Sequence, residues 1–357
     1  FPLPVTGRLA WCYANAHDIG FYRPQLDTAL MSALLAHLDR LEAGEQMGLL
    51  RDQAALMASG SQSMSGFLEV LDALTASNDY RVIGQVVEQL GMLERFLDEA
   101  GDVEALAGFR AWVGATFRAK LAAFGFEPHA GDSPDDAVAR ARVVAAMTHF
   151  AHDAGAIEQA RAWAAREAED PTAVDPNLAP VVVGASAQFG DAALFERYLA
   201  LYQQRKDAGA APTEVDRYLN SFGRFQPQEL VARALQLLDE GIVQLPNWPN
   251  ILVPLLTEPR SQATGWEFLK AHWDFIAERA RFFIPPMVSF TGQLSASLRG
   301  DVVAFFDTHL HGEFAVPYAR ALEQIDQLAE LKARTRNDLI AWFRARPTSG
   351  SNATARS

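Results

Sequence analysis

Asn15-Ala16-His17-Asp18-Ile19-Gly20-Phe21-Tyr22-Arg23-Pro24-Gln25-Leu26-Asp27 divides the chain into two unequal parts. Ahead of it stand Pro2, Pro4 and an apolar run, Leu9-Ala10-Trp11-Cys12-Tyr13, that reads as one short strand or two. From Pro24 onward the periodicity becomes helical: Leu26, Leu30, Leu34, Leu38 and Leu41 recur every three or four residues, with Arg40 and Glu42 outside the stripe. A strand pair this small is not stable by itself in water, so residues 1–23 read as the edge of a sheet whose remainder lies upstream.

Working outward, Gln46–Met57 and Met64–Leu74 repeat the helical pattern around the breaker Ser59-Gly60-Ser61. Two longer helices, Tyr80–Glu99 and Val103–Phe124, meet at Gly101-Asp102. Between Ala137 and Gly241 the chain becomes repetitive. Gly155, Gly190 and Gln226 each separate a shorter helix from a longer one (Ile157–Glu169, Ala192–Gln204, Gln228–Leu238), at a period of about 35 residues that suits a helix-pair solenoid. Thr213-Glu-Val-Asp216 reads as a helix start with Thr213 as N-cap. A long terminal helix is expected over about Val316 to Phe343, with Leu322, Ile325, Leu328, Leu339 and Trp342 on its buried side. The fold class is therefore all-α, an armadillo- or HEAT-like superhelix of stacked helix pairs with a short β remnant at its N-terminus. Residues 24–345 form the helical domain, and 346–357, rich in Ser and Thr, read as a disordered tail.

Composition narrows the partners. The formal net charge is −13 with scattered basic residues, which argues against a nucleic-acid footprint. No run approaches the roughly 18 apolar residues of a membrane span. Phe1 to Ala10 lacks the basic and apolar regions of a signal peptide, and a first residue other than Met suggests a fragment or a processed chain. One cysteine, Cys12, offers neither an internal disulfide nor a thiolate metal site. A cytoplasmic location is expected.

The Asn15–Asp27 segment resembles the Asn-Ala-x-x-x-Gly-Tyr-Tyr-Arg-x-x-Tyr-Asp signature of zinc aminopeptidases of the aminopeptidase N type, with Phe21 in place of the first Tyr and Leu26 in place of the last. Two further patterns follow in that family's order. Leu49–Gly60 is similar to its Leu-x-Asp-x-Ala-x-Leu-x-x-x-Gly, and Gly265–Asp274 to its Trp-x-Phe-x-x-x-x-Trp, followed by Phe305-Phe306 and a terminal helix. The resemblance spans Asn15 to Phe343 and implies the C-terminal helical domain that follows a small β-sandwich in those enzymes. It implies an upstream catalytic domain as partner, zinc as that domain's cofactor, and peptides as substrates whose N-terminal residues are removed. The zinc-binding His-Glu-x-x-His and the amine-anchoring Gly-x-Met-x-Asn are both missing, so no catalytic residue and no cofactor is assigned to this chain. A free-standing helical scaffold for protein partners is the alternative reading.

Three positions are singled out by the resemblance. Arg224 matches the turn at which peptide-trimming members anchor a C-terminal carboxylate, work that suits a planar, permanently charged fork. The Tyr-Lys pair that assists it there falls on Leu93 and Glu94 here, and the structural alternative has Arg224 capping the preceding helix. Tyr22 and Arg23 are expected at the interface with the catalytic domain; otherwise Tyr22 belongs in the core and Arg23 with a nearby acid. Two histidine pairs are weighed on their spacing alone. His149 and His152 share a helical face with Asp153 adjacent but no third ligand. His309 and His311 sit at a helix end where they bond the last carbonyls. Trp248, Trp266 and Trp273 are expected to be packing residues.

Overall fold

The computed structural model describes residues 9–310 and 312–346; the expected tail, apart from Arg346, and His311 lie outside them. The helices are α1 (Thr28–Leu35), α2 (Ala43–Ser59), α3 (Met64–Leu74), α4 (Tyr80–Ala100), α5 (Val103–Phe124), α6 (Pro134–Ala145), α7 (Ala154–Glu169), α8 (Ala179–Gln188), α9 (Ala192–Asp207) and α10 (Pro212–Leu219). They continue with α11 (Gln228–Asp239), α12 (Pro249–Thr257), α13 (Gln262–Ala271), α14 (Trp273–Arg279), α15 (Ile284–Thr291), α16 (Arg299–His309) and α17 (Ala315–Arg344). The all-α class holds. Two compact units divide the described residues: 9–97, 102–146 and 335–346 in one, 98–101 and 147–334 in the other. No described helix is long and apolar enough to cross a membrane.

The expected β remnant is not present among the described residues: 9–13 carry no strand. A strand needs a hydrogen-bonded neighbour, and the described residues hold no strand for 9–13 to pair with. Trp11 instead stacks on His37, with ring centroids 5.5 Å apart.

In the first unit the Leu26–Leu41 stripe is not one helix. The helix stops at Leu35, and a 3-10 turn over Leu38–Arg40 carries the chain to α2, whose capping box joins Glu42 and Glu45. Leu34 and Leu41 both remain buried, which is why the spacing looked continuous. Gly60 closes α2 at φ 82°, the left-handed conformation that favours glycine. Asp102 caps α5 through the Ala105 amide at 2.9 Å. There α5 lies tight against the end of α17. Phe109 meets Phe343 edge-on at 5.3 Å, and a Cβ on Gly108 would stand 2.1 Å from the Phe343 carbonyl oxygen.

The second unit carries the repeat. Helices α7, α9 and α11 begin close to their expected positions, each after a shorter helical segment. One local expectation fails: Ala211 is the N-cap of α10 and Pro212 its first residue, so Thr213 lies inside the first turn. Proline at that position costs no hydrogen bond, since its missing amide would have been unpaired anyway. Between the layers Phe195 contacts Phe222 at 5.1 Å and Phe225 at 5.0 Å. Glu167, fully buried, bonds Arg205 at 2.6 Å, Arg217 at 2.7 Å and the Tyr218 hydroxyl. Trp248, Trp266 and Trp273 are buried, and Trp266 and Trp273 enclose the Phe305-Phe306 pair while the Trp266 indole donates to Asp301 at 2.6 Å.

Candidate functional site

After α10 the chain makes a 3-10 turn over Phe222–Arg224. Phe222 and Phe225 are both buried, so the turn is pinned on each side of Arg224 and the arginine is turned outward. Only its backbone amide is bonded, to Ser221 O at 3.0 Å. Among the described residues its guanidinium has no hydrogen-bond or ion-pair partner, so it does not cap α10.

This arginine keeps accessible surface, yet it lies in a recess. Surrounding protein pulls its pKa below the usual guanidinium value, and only the Glu258 carboxylate works in the opposite direction. Helix α8 supplies the wall. A Cβ on Gly184 would meet the Arg224 Cδ at 3.1 Å and Nε at 3.2 Å, so glycine there makes room for the side chain. Next to it stands His149, whose Nδ1 is bonded to the Gln188 side-chain oxygen. Burial, and then the Arg224 charge, bring the His149 pKa down to about 3, so the imidazole is neutral at ordinary pH. The recess therefore offers one uncommitted fork with a neutral ring beside it, an arrangement that can receive an anion and does not supply a general base.

His149 lies in a π-helical turn, Ala146–Phe150, and His152 lies beyond it with φ 52°. The two rings are thus not stacked on one helical face: His152 meets Phe189 edge-on at 4.9 Å, and Asp153 is the N-cap of α7. These residues do not fit zinc, since the His149 nitrogen is bonded to Gln188 and no described group of three or more His, Cys, Asp or Glu converges on a metal position. His309 bonds the Phe305 carbonyl at 2.7 Å, as a residue at a helix end does.

The Asn15–Asp27 segment forms a loop held by its own polar groups. The Asn15 side chain, almost wholly buried, accepts from the Gly20 amide at 2.7 Å, and Tyr22 donates to the Ala14 carbonyl at 2.5 Å. Gly20 has no room for a side chain, because a Cβ would lie 2.4 Å from the Tyr22 ring. Asp18 pairs with Arg51, and the Arg23 Nε lies 3.9 Å from the Asp52 carboxylate on α2. Burial and then the Asp18 charge raise the Asp52 pKa, while the same two causes, with Asp52 and Glu45 adding, push Tyr13 up to about 12. Tyr22 is not in the core: it is 56% exposed, beside Ile19 at 78% and a fully exposed Phe21. Leu93, by contrast, is fully buried in the first unit, where it cannot assist a ligand.

The sequence singles out Arg224, Tyr22 and Arg23 but not Gly184 or Gln188, and the His149–His152 pair, lacking a third ligand, is assigned no metal. Positions 149, 184 and 224 share no local pattern, and only packing brings them together.

Residues 11–327 match the family model of the ERAP1-like C-terminal domain, and the chain belongs to that family. It is 24% identical to aminopeptidase M1 of Arabidopsis thaliana over 90% of this chain and 37% of that protein. To aminopeptidase N of Lactococcus lactis it is 25% identical, over 84% of this chain and 35% of the relative. Aminopeptidase 2 of Candida albicans is 26% identical over 78% of this chain and 30% of its own length. The chain thus spans about a third of the length of the curated relatives it matches.

Proposed function

We propose that this chain is the non-catalytic C-terminal domain of a cytoplasmic zinc aminopeptidase, closing the cavity over a separate catalytic domain and holding the far end of the peptide. The observation that carries the reading is the family match over residues 11–327 in a chain without a His-Glu-x-x-His. Zinc and the hydrolytic step belong to the catalytic domain of the same polypeptide, and this domain acts by shape and charge.

Within it Arg224 binds the C-terminal carboxylate of the peptide. An arginine whose guanidinium has no partner among the described residues, and for which Gly184 leaves room beside α8, suits a ligand that supplies the missing anion. The absence of an assisting cation at Leu93-Glu94 makes the anchor weaker than a paired site. Tyr22 and Arg23 face the catalytic domain, with residues 1–23 the end of the preceding β-sandwich domain and 24–345 the helical one. The exposed Ile19, Phe21 and Tyr22 beside Arg23 support this, since a contiguous apolar loop tip is an interface feature.

The test is zinc content and hydrolysis of aminoacyl fluorogenic substrates, for the chain alone and for the full-length polypeptide. The reading expects neither in the chain alone and both in the full-length form. Stoichiometric zinc with turnover in the chain alone overturns it.

A further inference from the structure

The face of α8 opposite Gly184 and His149 borders a second cavity, of about 370 Å³, lying between α7, α8 and α9. Two residues along a helix differ by about 200° in direction, so Ser186 points away from the Arg224 recess. Ala164, Ala165 and Ala168 on α7 leave the space open by their small size. Small side chains alone define no site, but the floor of this cavity is polar. Ser186 and Tyr198 are each 2% exposed, and beyond their approach to each other neither hydroxyl has a hydrogen-bond partner among the described residues.

The two hydroxyls are close enough for Ser186 to lower the Tyr198 pKa, against a larger upward effect of burial. Even if they rotated to bond each other, two donors are present and one mutual bond uses one. A buried donor is thus left facing the cavity with no partner to meet it. At the rim stand two exposed arginines. Arg161 gives one nitrogen to the Phe189 carbonyl at 2.8 Å, and Arg197 has no hydrogen-bond or ion-pair partner among the described residues. Asp191, also at the rim, is committed to the start of α9 through the Leu194 amide at 2.9 Å.

A cationic rim, apolar walls and a hydroxyl floor define a ligand by its parts. We propose that this cavity binds a small free carboxylic acid with a short apolar body and a hydrogen-bond acceptor at its far end, the carboxylate on Arg161 and Arg197 and the acceptor on Ser186 and Tyr198. Its size falls in the range of small-molecule pockets. The site is independent of the Arg224 recess.

Isothermal titration of the chain with 4-hydroxybenzoate, benzoate and 4-hydroxybenzamide tests each part. 4-Hydroxybenzoate should bind saturably at one site, at least about fivefold tighter than benzoate and tenfold tighter than the uncharged amide. Arg197→Gln, a surface change that leaves the core intact, should weaken it about tenfold, and Ala168→Leu should abolish it by filling the cavity; Arg224→Gln should leave it unchanged. N-acetyltyrosine, titrated into Arg224→Gln so that the chain-end anchor is removed, serves as the chain-end form of the same chemistry and should bind more weakly. No saturable binding up to about 10 mM, equal affinity for acid and amide, loss in Arg224→Gln with none in Arg197→Gln, or preference for N-acetyltyrosine would each overturn the proposal.

Discussion

At the scale of the residue, the reach of Arg224 depends on the space that Gly184 leaves beside it. Gly184→Ala puts a methyl group 3.1 Å from the Arg224 Cδ and 3.2 Å from its Nε, tight enough that the side chain must shift by a few tenths of an ångström while keeping its charge. The expected result is a five- to tenfold loss of affinity for peptides with a free C-terminus, about 1–1.4 kcal/mol, with a melting temperature close to that of the wild type. His149 gives a pH signature. Its folded-state pKa lies below its unfolded value, so the unfolded chain binds the extra proton as pH falls from 6.5 toward about 3, and stability is lost across that window. Denaturant titrations should find the wild type less stable at pH 5 than at pH 7 by up to about 2 kcal/mol, with that difference reduced in His149→Gln. A carboxylate bound at Arg224 should raise the His149 pKa, which the ring's NMR shift reads directly. A His149 titration near its ordinary value in the free chain would contradict the description of the recess.

At the scale of the element, two contacts between helices hold the units together internally. Glu167 is the shared counter-ion of two buried arginines, so Glu167→Gln should cost about 3–5 kcal/mol, far more than loss of an exposed carboxylate, because both desolvated cations lose it. Gly108→Ala should cost about 2–4 kcal/mol in thermal unfolding, since its Cβ would collide with backbone at Phe343 and backbone yields little. Helix limits are largely legible in the sequence: Val103–Phe124 and Met64–Leu74 have the bounds expected from the junction Gly101-Asp102 and the breaker Ser59-Gly60-Ser61, and the structure adds Asp102 and Ser63 as N-caps. The stripe at Leu26–Leu41 misled because a broken helix can bury the same leucines as a continuous one. Leu9–Tyr13 misled because an apolar run is a strand only where another strand meets it. Of the recess, only Arg224 was legible, and that through family resemblance. Its neighbours come from elements 35 to 75 positions away in the chain, and single-sequence periodicity carries no information about such pairings.

At the scale of the whole molecule, the chain is a family domain matched over 317 consecutive positions, 11–327, and it is about a third of the relatives that contain the same domain. Its loop tip at Phe21 is the surface expected against the catalytic domain. Phe21→Ser should weaken association of the separately expressed catalytic portion with this chain by tenfold or more while leaving the chain's own melting temperature unchanged, since Phe21 buries nothing within it. The central claim, that this domain holds the far end of a peptide by its carboxylate, is tested most directly by comparing one decapeptide with its C-terminal amide for binding to the chain, in the wild type and in Arg224→Gln. The free acid should bind at least about tenfold tighter than the amide in the wild type, and the difference should vanish in the variant. Equal binding of acid and amide by the wild type, or an undiminished preference for the acid in Arg224→Gln, would contradict it.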